Sequence, residues 1–389
     1  MVLFGNLFRP ELADSSLIPQ LENESEDNFG YRNELYETPA VFSSAELDEL
    51  KKVSSFWSEI SRKIREKLLS QDEQLLSTFP ELIKFNDSTY SRFQIPPLMR
   101  LDTLISEDGV PQIIECNSQF PGNTGAASVQ ALNYLRRNKK ISDSILPLNS
   151  HTRFLEFLLS QETPEINFVE IPNNSHALDT KFFGYELEKK GIIVKYRTSN
   201  EDLSDLYGLV VKRVIPRNLQ LEELVRKERI NLINPSWSYF VGNKRLFPLF
   251  RNSDFIQDFN DYLIQGIHKY IPETSYVSDI KQSRKLEIVD DKDLYVLKYP
   301  DSYGGDGVFI GAEKSSSEWE NIMNSPNSQN AVLQKRVNAM TYNGNSFDIG
   351  IMMIGGEFSN PWMRISKKES LKTNMHGGGR SVACYKELI

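Results

Sequence analysis

Residues 99–125, MRLDTLISEDGVPQIIECNSQFPGNTG, contain the signal of a β-hairpin. Two apolar-rich runs, at 100–105 and 112–117, flank a polar turn with Asp108-Gly109 at its centre. An Asp-Gly pair between runs of this kind is one of the strongest short-range hairpin signals. We therefore predict two antiparallel strands joined by a two-residue loop.

A two-residue loop fixes which residues face each other across the hairpin. It places Asp102 opposite Glu115 and Arg100 opposite Asn117. Because side chains alternate between the two faces of a strand, these four groups are expected to project from one surface. The residues expected on the opposite, apolar face are Leu101, Ile114 and Cys116.

Two carboxylates that face each other repel unless a cation lies between them. Asp102, Glu115 and the amide oxygen of Asn117 would together form an all-oxygen set, which suits a hard cation such as Mg²⁺ better than zinc. The alternative is an exposed acidic hairpin in which Arg100 balances Asp102. The hairpin alone leaves both explanations open.

The composition indicates an ordinary folded protein rather than a nucleic-acid-binding or membrane protein. The 389 residues are 39% apolar and include 22 Phe and 16 Tyr, which is enough for a large core. A net charge of −8 argues against a nucleic-acid-binding surface, and no apolar run reaches transmembrane length. The two cysteines, Cys116 and Cys384, lack metal-type spacing, so we expect a reducing, cytoplasmic environment.

Periodicity divides the rest of the chain into three regions. In residues 47–68 an apolar side chain recurs every three or four positions, which predicts a long amphipathic helix capped by Ser43 or Ser44. Residues 165–216 alternate strand and helix patterns, which indicates a βαβ layer with a parallel sheet. Residues 276–389 are rich in short strands, including SFDIGIMMIGGEFS, whose Gly-Gly turn suggests a second hairpin, and a separate strand PWMRIS.

A glycine-rich loop follows a strand in residues 295–311, YVLKYPDSYGGDGVFIG. Lys298 stands at the end of this strand, and Gly304, Gly305 and Gly307 lie in the loop. Glycines let backbone N–H groups approach a phosphate, and the lysine adds positive charge at the same place. The loop leads into a strand and has no GK[ST], so it is neither a Walker loop nor a dinucleotide fingerprint. A flexible hairpin turn is the alternative.

Further phosphate-compatible donors are Lys244 in NPSWSYFVGNKRLFPLF, Arg364 in PWMRIS and Asn374 in the glycine-rich LKTNMHGGGRSVACY. By itself Lys244 would be an ordinary solvated surface charge. Together with the acidic hairpin and Lys298, these donors supply the parts for binding a Mg²⁺-nucleotide and neutralising a phosphoryl group in transfer.

In this combination the chain resembles an ATP-grasp ligase, and specifically a circularly permuted one. Ordinary members carry the lysine, the glycine-rich lid, an R…TN…GG segment and a D…ExN…PG segment in that order. Here KYPDSYGGDGV and MRIS…KTNMHGGG come late, whereas RLD…IIECNSQFPG comes early. The same early pattern occurs in glutathionylspermidine synthetase-like proteins and in the eukaryotic type of glutathione synthetase. The resemblance covers residues 98–125 and 231–379.

This resemblance implies an α/β (α+β) fold, namely a circularly permuted ATP-grasp with a βαβ subdomain similar to a pre-grasp domain. The implied regions are an N-terminal helical region at 1–95, the hairpin and helices of the grasp core at 96–160, the βαβ subdomain at 161–235 and the ATP-grasp lobes at 236–389. Assembly as a homodimer is left open.

The resemblance also implies ATP and Mg²⁺ as cofactors. By the family's motifs, Asp102, Glu115 and Asn117 would hold Mg²⁺, and Lys244 and Lys298 would contact the α and β phosphates. The lid over the β and γ phosphates would contain Gly304, Gly305 and Gly307. The hinge that meets the adenine would contain Gln334, Lys335 and Val337. The residues facing the γ-phosphate or an acyl phosphate would be Arg100, Arg364 and Asn374.

One feature departs from the family pattern. Such proteins usually keep an acidic residue in the hinge, but QKRV at 334–337 has none, which leaves ribose recognition open. Asp348 lies beyond the hinge, and the resemblance gives it no role.

The implied reaction is ATP-dependent ligation of a carboxylate to an amine. The carboxylate attacks the γ-phosphate to give an acyl phosphate and ADP, and the amine then displaces phosphate to form an amide. The acceptor is left open: an amino acid, a peptide, a polyamine, or an amine or thiol on a carrier. Two other classes remain, a nucleotide-binding regulatory or scaffold protein without turnover and a small-molecule kinase. No nucleic-acid or membrane partner is expected.

Overall fold

The structure is a computed structural model, and it describes residues 3–5, 7, 35–80, 91–119, 121, 145–148, 150–171, 177–213, 219–302, 305–366, 371, 373 and 379–388. None of the helices in these residues is long and apolar enough to cross a membrane. The strands are β1 (Leu35–Phe42), β2 (Leu98–Ile105), β3 (Pro111–Asn117), β4 (Ile145–Pro147), β5 (Glu165–Glu170), β6 (Ile193–Thr198), β7 (Gly208–Arg213), β8 (Ile230–Ile233), β9 (Thr274–Tyr276), β10 (Tyr295–Lys298), β11 (Val308–Ile310), β12 (Val332–Lys335), β13 (Thr341–Tyr342), β14 (Asn345–Ile354), β15 (Glu357–Ile365) and β16 (Arg380–Glu387). The α-helices are α1 (Ser44–Leu69), α2 (Glu73–Thr78), α3 (Ser150–Leu159), α4 (Ala177–Glu188), α5 (Leu219–Arg226), α6 (Ser238–Gly242), α7 (Leu246–Leu249), α8 (Ser253–Ile256), α9 (Asp261–Tyr270), α10 (Gln282–Asp290) and α11 (Ser316–Asn324).

The largest sheet brings early and late parts of the chain together. Its strand order is β1-β16-β15-β14-β2-β3, with β4 beside β16 and β13 beside β14. Strand β2 pairs antiparallel with β14, so the hairpin from the first third of the chain lies next to strands from its C-terminal end. This pairing lets the early acidic motif and the late motifs share one site. The circular permutation itself stays a prediction.

Helix α1 packs its apolar stripe on this sheet. Trp57 and Ile64 of the helix are fully buried in the same core as Leu101 of β2. Ser43 begins the helix with a capping box, in which Glu46 N donates to Ser43 Oγ and Ser43 N donates to Glu46 Oε2 at 2.6 Å. The predicted long amphipathic helix is confirmed.

Two four-stranded sheets complete the fold. One has the order β11-β10-β12-β9 and is antiparallel. The other has the order β6-β5-β7-β8 and is entirely parallel, with α4 between β5 and β6 and α5 between β7 and β8. The parallel βαβ layer predicted from the alternating pattern is therefore present.

The β2–β3 hairpin has the predicted register at its base but a different loop at its tip. Asp102 faces Glu115, as expected, but the loop spans the three residues 107–109 instead of two. Gly109 in this loop has a φ of +82°, which glycine adopts without strain. The prediction of a two-residue loop is wrong.

A β-bulge at Ile114 compensates for the longer loop. Thr103 faces Ile113, so Ile114 is the extra residue between that pair and the pair formed by Asp102 and Glu115. Bulges redirect side chains, and Ile114 lines a cavity together with Glu115, whereas Ile113 is fully buried in the core. The expected apolar-face position of Ile114 is therefore wrong, and Ile113 occupies it.

The predicted second hairpin is confirmed, but its second strand is longer than expected. Strands β14 and β15 are antiparallel around a turn of Gly355 and Gly356, both with positive φ. The run PWMRIS is not a separate strand but the end of β15. Pro361 is tolerated within β15 because β16 pairs with this strand from Met363 to Ile365, beyond the proline.

Candidate active site

A cavity of about 740 Å³ lies between the eight-stranded sheet and the sheet β11-β10-β12-β9. Side chains of β2, β3, β14 and β15 form a polar wall, and β10, β11 and β12 form the opposite wall. The segment 335–341 closes one end. The sequence-predicted site residues that line this cavity are Arg100, Asp102, Glu115, Asn117, Lys298, Gly305, Gln334, Lys335, Val337 and Arg364.

The polar wall carries a row of alternating charges across three strands. Arg100 donates to Asp102 through Nε at 2.5 Å and through Nη2 at 3.0 Å. Arg364 Nη2 donates to Asp102 Oδ2 at 3.0 Å, and its Nε donates to Asp348 Oδ1 at 2.9 Å. All four side chains are buried. The row Asp348, Arg364, Asp102, Arg100 therefore fixes both guanidinium groups against the cavity.

Burial and charge oppose each other in this row. Burial alone would raise the pKa of Asp102, but the guanidinium groups of Arg100 and Arg364 hold that pKa well below its usual range. Burial raises the pKa of Asp348 despite its contact with Arg364, and the charge of Asp102 adds to the rise. Burial would lower the pKa of Arg364, but Asp348 and Asp102 together raise it. Asp102 thus keeps its negative charge between two protonated arginines.

One aromatic ring contacts both arginines. The Cζ atoms of Arg100 and Arg364 each lie 4.8 Å from the ring centroid of Trp362. A guanidinium group over an indole ring is attracted by the ring's quadrupole. Gly350 of β14 faces Trp362 of β15, and a Cβ atom added to Gly350 would lie 2.8 Å from Arg100 Cδ. The missing side chain therefore gives Arg100 room to cross β14 and reach the ring.

Lys298 approaches the polar wall from the opposite sheet. Its Nζ donates to Ile114 O at 2.8 Å and to Gln334 Oε1 at 2.7 Å. The bulge leaves Ile114 without a facing residue on β2, so its carbonyl is available to the lysine. Burial lowers the pKa of Lys298 to about 8, because the attraction of Glu115 only partly offsets it. Gln334 is thus a partner of the lysine, and its contact with a nucleotide stays a prediction.

Lys244 links the hairpin to the first glycine-rich loop. Its Nζ lies 3.1 Å from Glu115 Oε1 and donates to Ser302 O at 2.8 Å. Beyond Ser302, Gly305 and Gly307 have φ values of +85° and +67°. Gly304 lies outside the described residues. The buried lysine therefore joins the acidic hairpin to the loop expected to cover phosphates.

The second glycine-rich segment is anchored on the charge row. Thr373 Oγ1 donates to Asp348 Oδ2 at 2.6 Å, and Thr373 lines the cavity. The neighbouring Asn374 lies outside the described residues, so its predicted role stays a prediction. Asp348 therefore connects Arg364 to the segment in which a further phosphate contact is predicted.

The donor set for Mg²⁺ fits in part. Asp102, Glu115 and Asn117 line one wall and offer the hard oxygens that Mg²⁺ prefers. The Glu115 side chain is 31% exposed and the Asp102 side chain only 5%. Asp102 Oδ2 accepts from Arg100, from Arg364 and, at 3.2 Å, from Asn117 Nδ2. Glu115 and Asn117 therefore fit a metal directly, whereas Asp102 would first have to release an arginine. Metal ligation by the three residues stays a prediction.

Sequence reasoning missed several residues of this site. The missed residues that line the cavity or support its side chains are Asp348, Gly350, Trp362 and Thr373. A period of two places Asp348 and Gly350 on one face of β14, and Trp362 and Arg364 on one face of β15. Strand alternation could therefore have grouped these residues in pairs. The order of the strands in the sheet could not be predicted from the sequence.

Comparison with known proteins identifies one domain of the chain and a structure with a similar fold. Residues 261–386 match the family model described as "Prokaryotic glutathione synthetase, ATP-grasp domain". A glutathione synthetase-like effector from Globodera pallida, solved in apo form, shares the fold with a TM-score of 0.64 at 14% identity, covering 99% of this chain and 100% of that chain. A protein from Methylobacillus flagellatus, provisionally assigned as a γ-glutamylcysteine synthetase, gives a TM-score of 0.43 at 9% identity, covering 85% and 88%. The curated proteins contain no match.

Residues 261–386 therefore contain an ATP-grasp domain similar to that of prokaryotic glutathione synthetase. The whole chain has a mixed α/β fold, which it shares with the glutathione synthetase-like effector. The β2–β3 hairpin lies outside the matched range, although β2 pairs with β14 inside it.

Proposed function

We propose that this protein activates a carboxylate with ATP as an acyl phosphate and transfers the acyl group to an amine. The observation that carries this proposal is a cavity lined by Arg100, Arg364 and Lys298 together with Glu115, which pairs with the buried Lys244 at 3.1 Å. Three cations from two sheets on the walls of one cavity, with a fourth, Lys244, paired to Glu115, suit a triphosphate and a phosphoryl group in transfer. The ATP-grasp match supports ATP as the substrate that supplies the phosphoryl group.

The rest of the cavity suits the nucleoside. Its lining includes apolar side chains from both sheets, Leu104 and Ile114 of the hairpin and Val296 and Ile310 of the opposite sheet, and also Met340. A base bound between these side chains would direct its phosphates toward Lys298. This orientation agrees with the roles that the sequence motifs imply for the lysines.

The arginines would stabilise the charge that develops during both steps. In the first step a carboxylate oxygen attacks the γ-phosphorus and ADP leaves. In the second step the amine attacks the acyl carbon, loses a proton, and phosphate leaves. Arg100 and Arg364 are already fixed by Asp102 and Trp362, so little reorganisation is needed as charge develops.

Mg²⁺ would supply charge neutralisation at the phosphates, and Glu115, Asn117 and Asp102 are the residues that would hold it. The mechanism needs no nucleophilic side chain. Burial raises the pKa of both Cys116 and Cys384, which keeps these thiols protonated and unreactive. The carboxylate substrate is therefore the nucleophile in the first step.

The test incubates the protein with Mg²⁺-ATP and pools of amino acids, short peptides and polyamines. ADP and free phosphate are quantified, and product masses are measured. We expect ADP and phosphate in equal amounts, with a new mass equal to two substrates minus one water. The Arg364→Ala variant should form no product, whereas Arg153→Ala, which removes an exposed arginine from α3, should be unaffected.

The outcomes separate the candidate classes. A phosphorylated product without free phosphate would make the protein a small-molecule kinase. Nucleotide binding without ADP formation would favour a regulatory or scaffold function. Failure to bind ATP at all would overturn the proposal.

A further inference from the structure

The tip of the β2–β3 hairpin is joined to the hinge by backbone hydrogen bonds. Glu107 N donates to Asn338 O at 3.0 Å, and Met340 N donates to Ile105 O at 2.8 Å. Ser106 and Ala339 form an antiparallel bridge between these two bonds. The tip is therefore held beside the hinge at the end of the cavity.

This attachment places a carboxylate at the cavity. Glu107 lines the cavity together with Leu104 of the same strand and with Val337 and Asn338 of the hinge. Asn338 Nδ2 donates to Glu107 Oε2 at 2.6 Å. That bond orients the carboxylate, and its oxygens retain further lone pairs for a ligand.

The hairpin also sets the distance between its two acidic positions. The two acidic positions are Asp102 and Glu107. From Asp102 to Ser106, the residue before Glu107, the chain is extended over four residues, or about 13 Å at roughly 3.3 Å per residue. Leu104 lies between them on the cavity wall. Arg100 and Arg364, which contact Asp102, thus lie about this far along the hairpin from Ser106, the residue before Glu107.

The hinge itself offers no such group. The hinge and the three residues after it, 334–340, read QKRVNAM, with no acidic side chain. Arg336 Nε donates to Asp293 O at 2.6 Å, on the side of the 3-10 helix Lys292–Leu294. A carboxylate is the side chain best suited to accept hydrogen bonds from two neighbouring hydroxyl groups of a sugar.

We propose that Glu107 binds the ribose of the nucleotide by accepting hydrogen bonds from its 2′- and 3′-hydroxyl groups. The acidic group that the hinge lacks is supplied by the tip of a hairpin more than 200 positions earlier in the chain. This inference rests on the proposed nucleotide site, because it needs the base between the apolar side chains of the cavity and the phosphates at Lys298.

The test compares the affinities of ATP, 2′-deoxy-ATP and 3′-deoxy-ATP for the full chain, by calorimetry with Mg²⁺. We expect the wild-type protein to bind ATP about tenfold more tightly than either deoxy analogue, as for the loss of a hydrogen bond to a charged group. Glu107→Ala should bind ATP about tenfold more weakly and the three nucleotides equally. Asp108→Ala is the matched control, since Asp108 is in the same loop but lines only a second cavity, whereas Glu107 lines both. It should keep the wild-type preference.

The ratio between ATP and its analogues distinguishes binding from structure. If Glu107 only supported the hinge, Glu107→Ala would lower the affinity for all three nucleotides by the same factor. That result would show that the inference is wrong. Equal binding of the three by the wild-type protein would also overturn it. Absence of ATP binding in the wild-type protein would instead overturn the proposed function.

Discussion

Arg364 Nη2 lies 3.0 Å from Asp102 Oδ2, although 262 positions separate the two residues in the chain. The contact joins β15 to β2 across β14, and Asp348 holds the other edge of the same guanidinium group. Because the ions are buried, their attraction is weakly screened, and removing one of them leaves the others uncompensated. The same contact therefore affects both stability and the proposed chemistry.

Replacing Asp102 by Asn is expected to destabilise the protein by about 3 kcal/mol. The substitution removes the charged carboxylate that both buried guanidinium groups contact, whereas Asp348 contacts Arg364. Urea unfolding measures the change. Asp48→Asn, which removes an exposed partner of Lys51, is the control and should leave the unfolding midpoint unchanged. Equal midpoints for the two variants would refute the role given to Asp102.

Replacing Trp362 by Leu is expected to lower turnover more than ATP affinity. The indole ring contacts both arginines, and each cation–π contact contributes on the order of 1 kcal/mol. Losing both contacts, about 2 kcal/mol together, should reduce kcat by about thirtyfold while the phosphate-binding lysines remain in place. Trp362→Phe keeps an aromatic face and should restore most of kcat. Loss of kcat in the Phe variant equal to that in the Leu variant would show that the ring acts by volume alone.

Replacing Gly350 by Ala tests the path of the Arg100 side chain. The added Cβ would lie 2.8 Å from Arg100 Cδ and 3.2 Å from Trp362 Cε3, so the arginine has to move. We expect turnover to fall about tenfold, as for a displaced transition-state donor. In an Arg100→Ala background the same substitution should have little further effect, since the two changes act on one contact. Additive losses in the double variant would contradict this mechanism.

The sequence predicted the hairpin, its acidic register and the glycine-rich loops, because these depend on turn chemistry and strand alternation. It did not predict the bulge at Ile114, since an extra residue in one strand is detected only when both strands are seen together. A wrong loop length and a missed bulge cancelled, so Asp102 still faces Glu115. The correct register at the site was reached through two compensating errors.

Non-local pairings account for the rest of what sequence reasoning missed. Nothing in the local pattern of β14 shows that β2 lies on one side and β15 on the other. Asp348 therefore had no role, and the contact of Glu107 with Asn338 was not foreseen. Each depends on two segments far apart in the chain, and single-sequence patterns carry no record of such neighbours.

Nucleotide binding should weaken as pH rises through 8. Burial lowers the pKa of Lys298 to about 8, well below the ordinary value near 10.4, so its ammonium group is charged below pH 8 and neutral above it. The value of kcat/KM for ATP reports the free enzyme and should fall between pH 7 and 9.5. Lys298→Arg keeps its charge and should give a flatter profile. A wild-type profile as flat as that of the arginine variant would refute the assignment.

Replacing Glu115 by Gln tests metal binding at the more accessible of the two carboxylates that face each other across the hairpin. Glu115 is 31% exposed and lines the cavity, so the change should raise the Mg²⁺ concentration needed for half-maximal turnover by about tenfold or more. Removal of Mg²⁺ with EDTA should abolish turnover in both proteins.

Glu115 also pairs with Lys244, so Lys244→Met is the control that breaks this ion pair and leaves the carboxylate. It should weaken ATP binding but keep the wild-type Mg²⁺ requirement. If Lys244→Met raises that requirement as much as Glu115→Gln does, Glu115 acts through the lysine and is not a metal ligand.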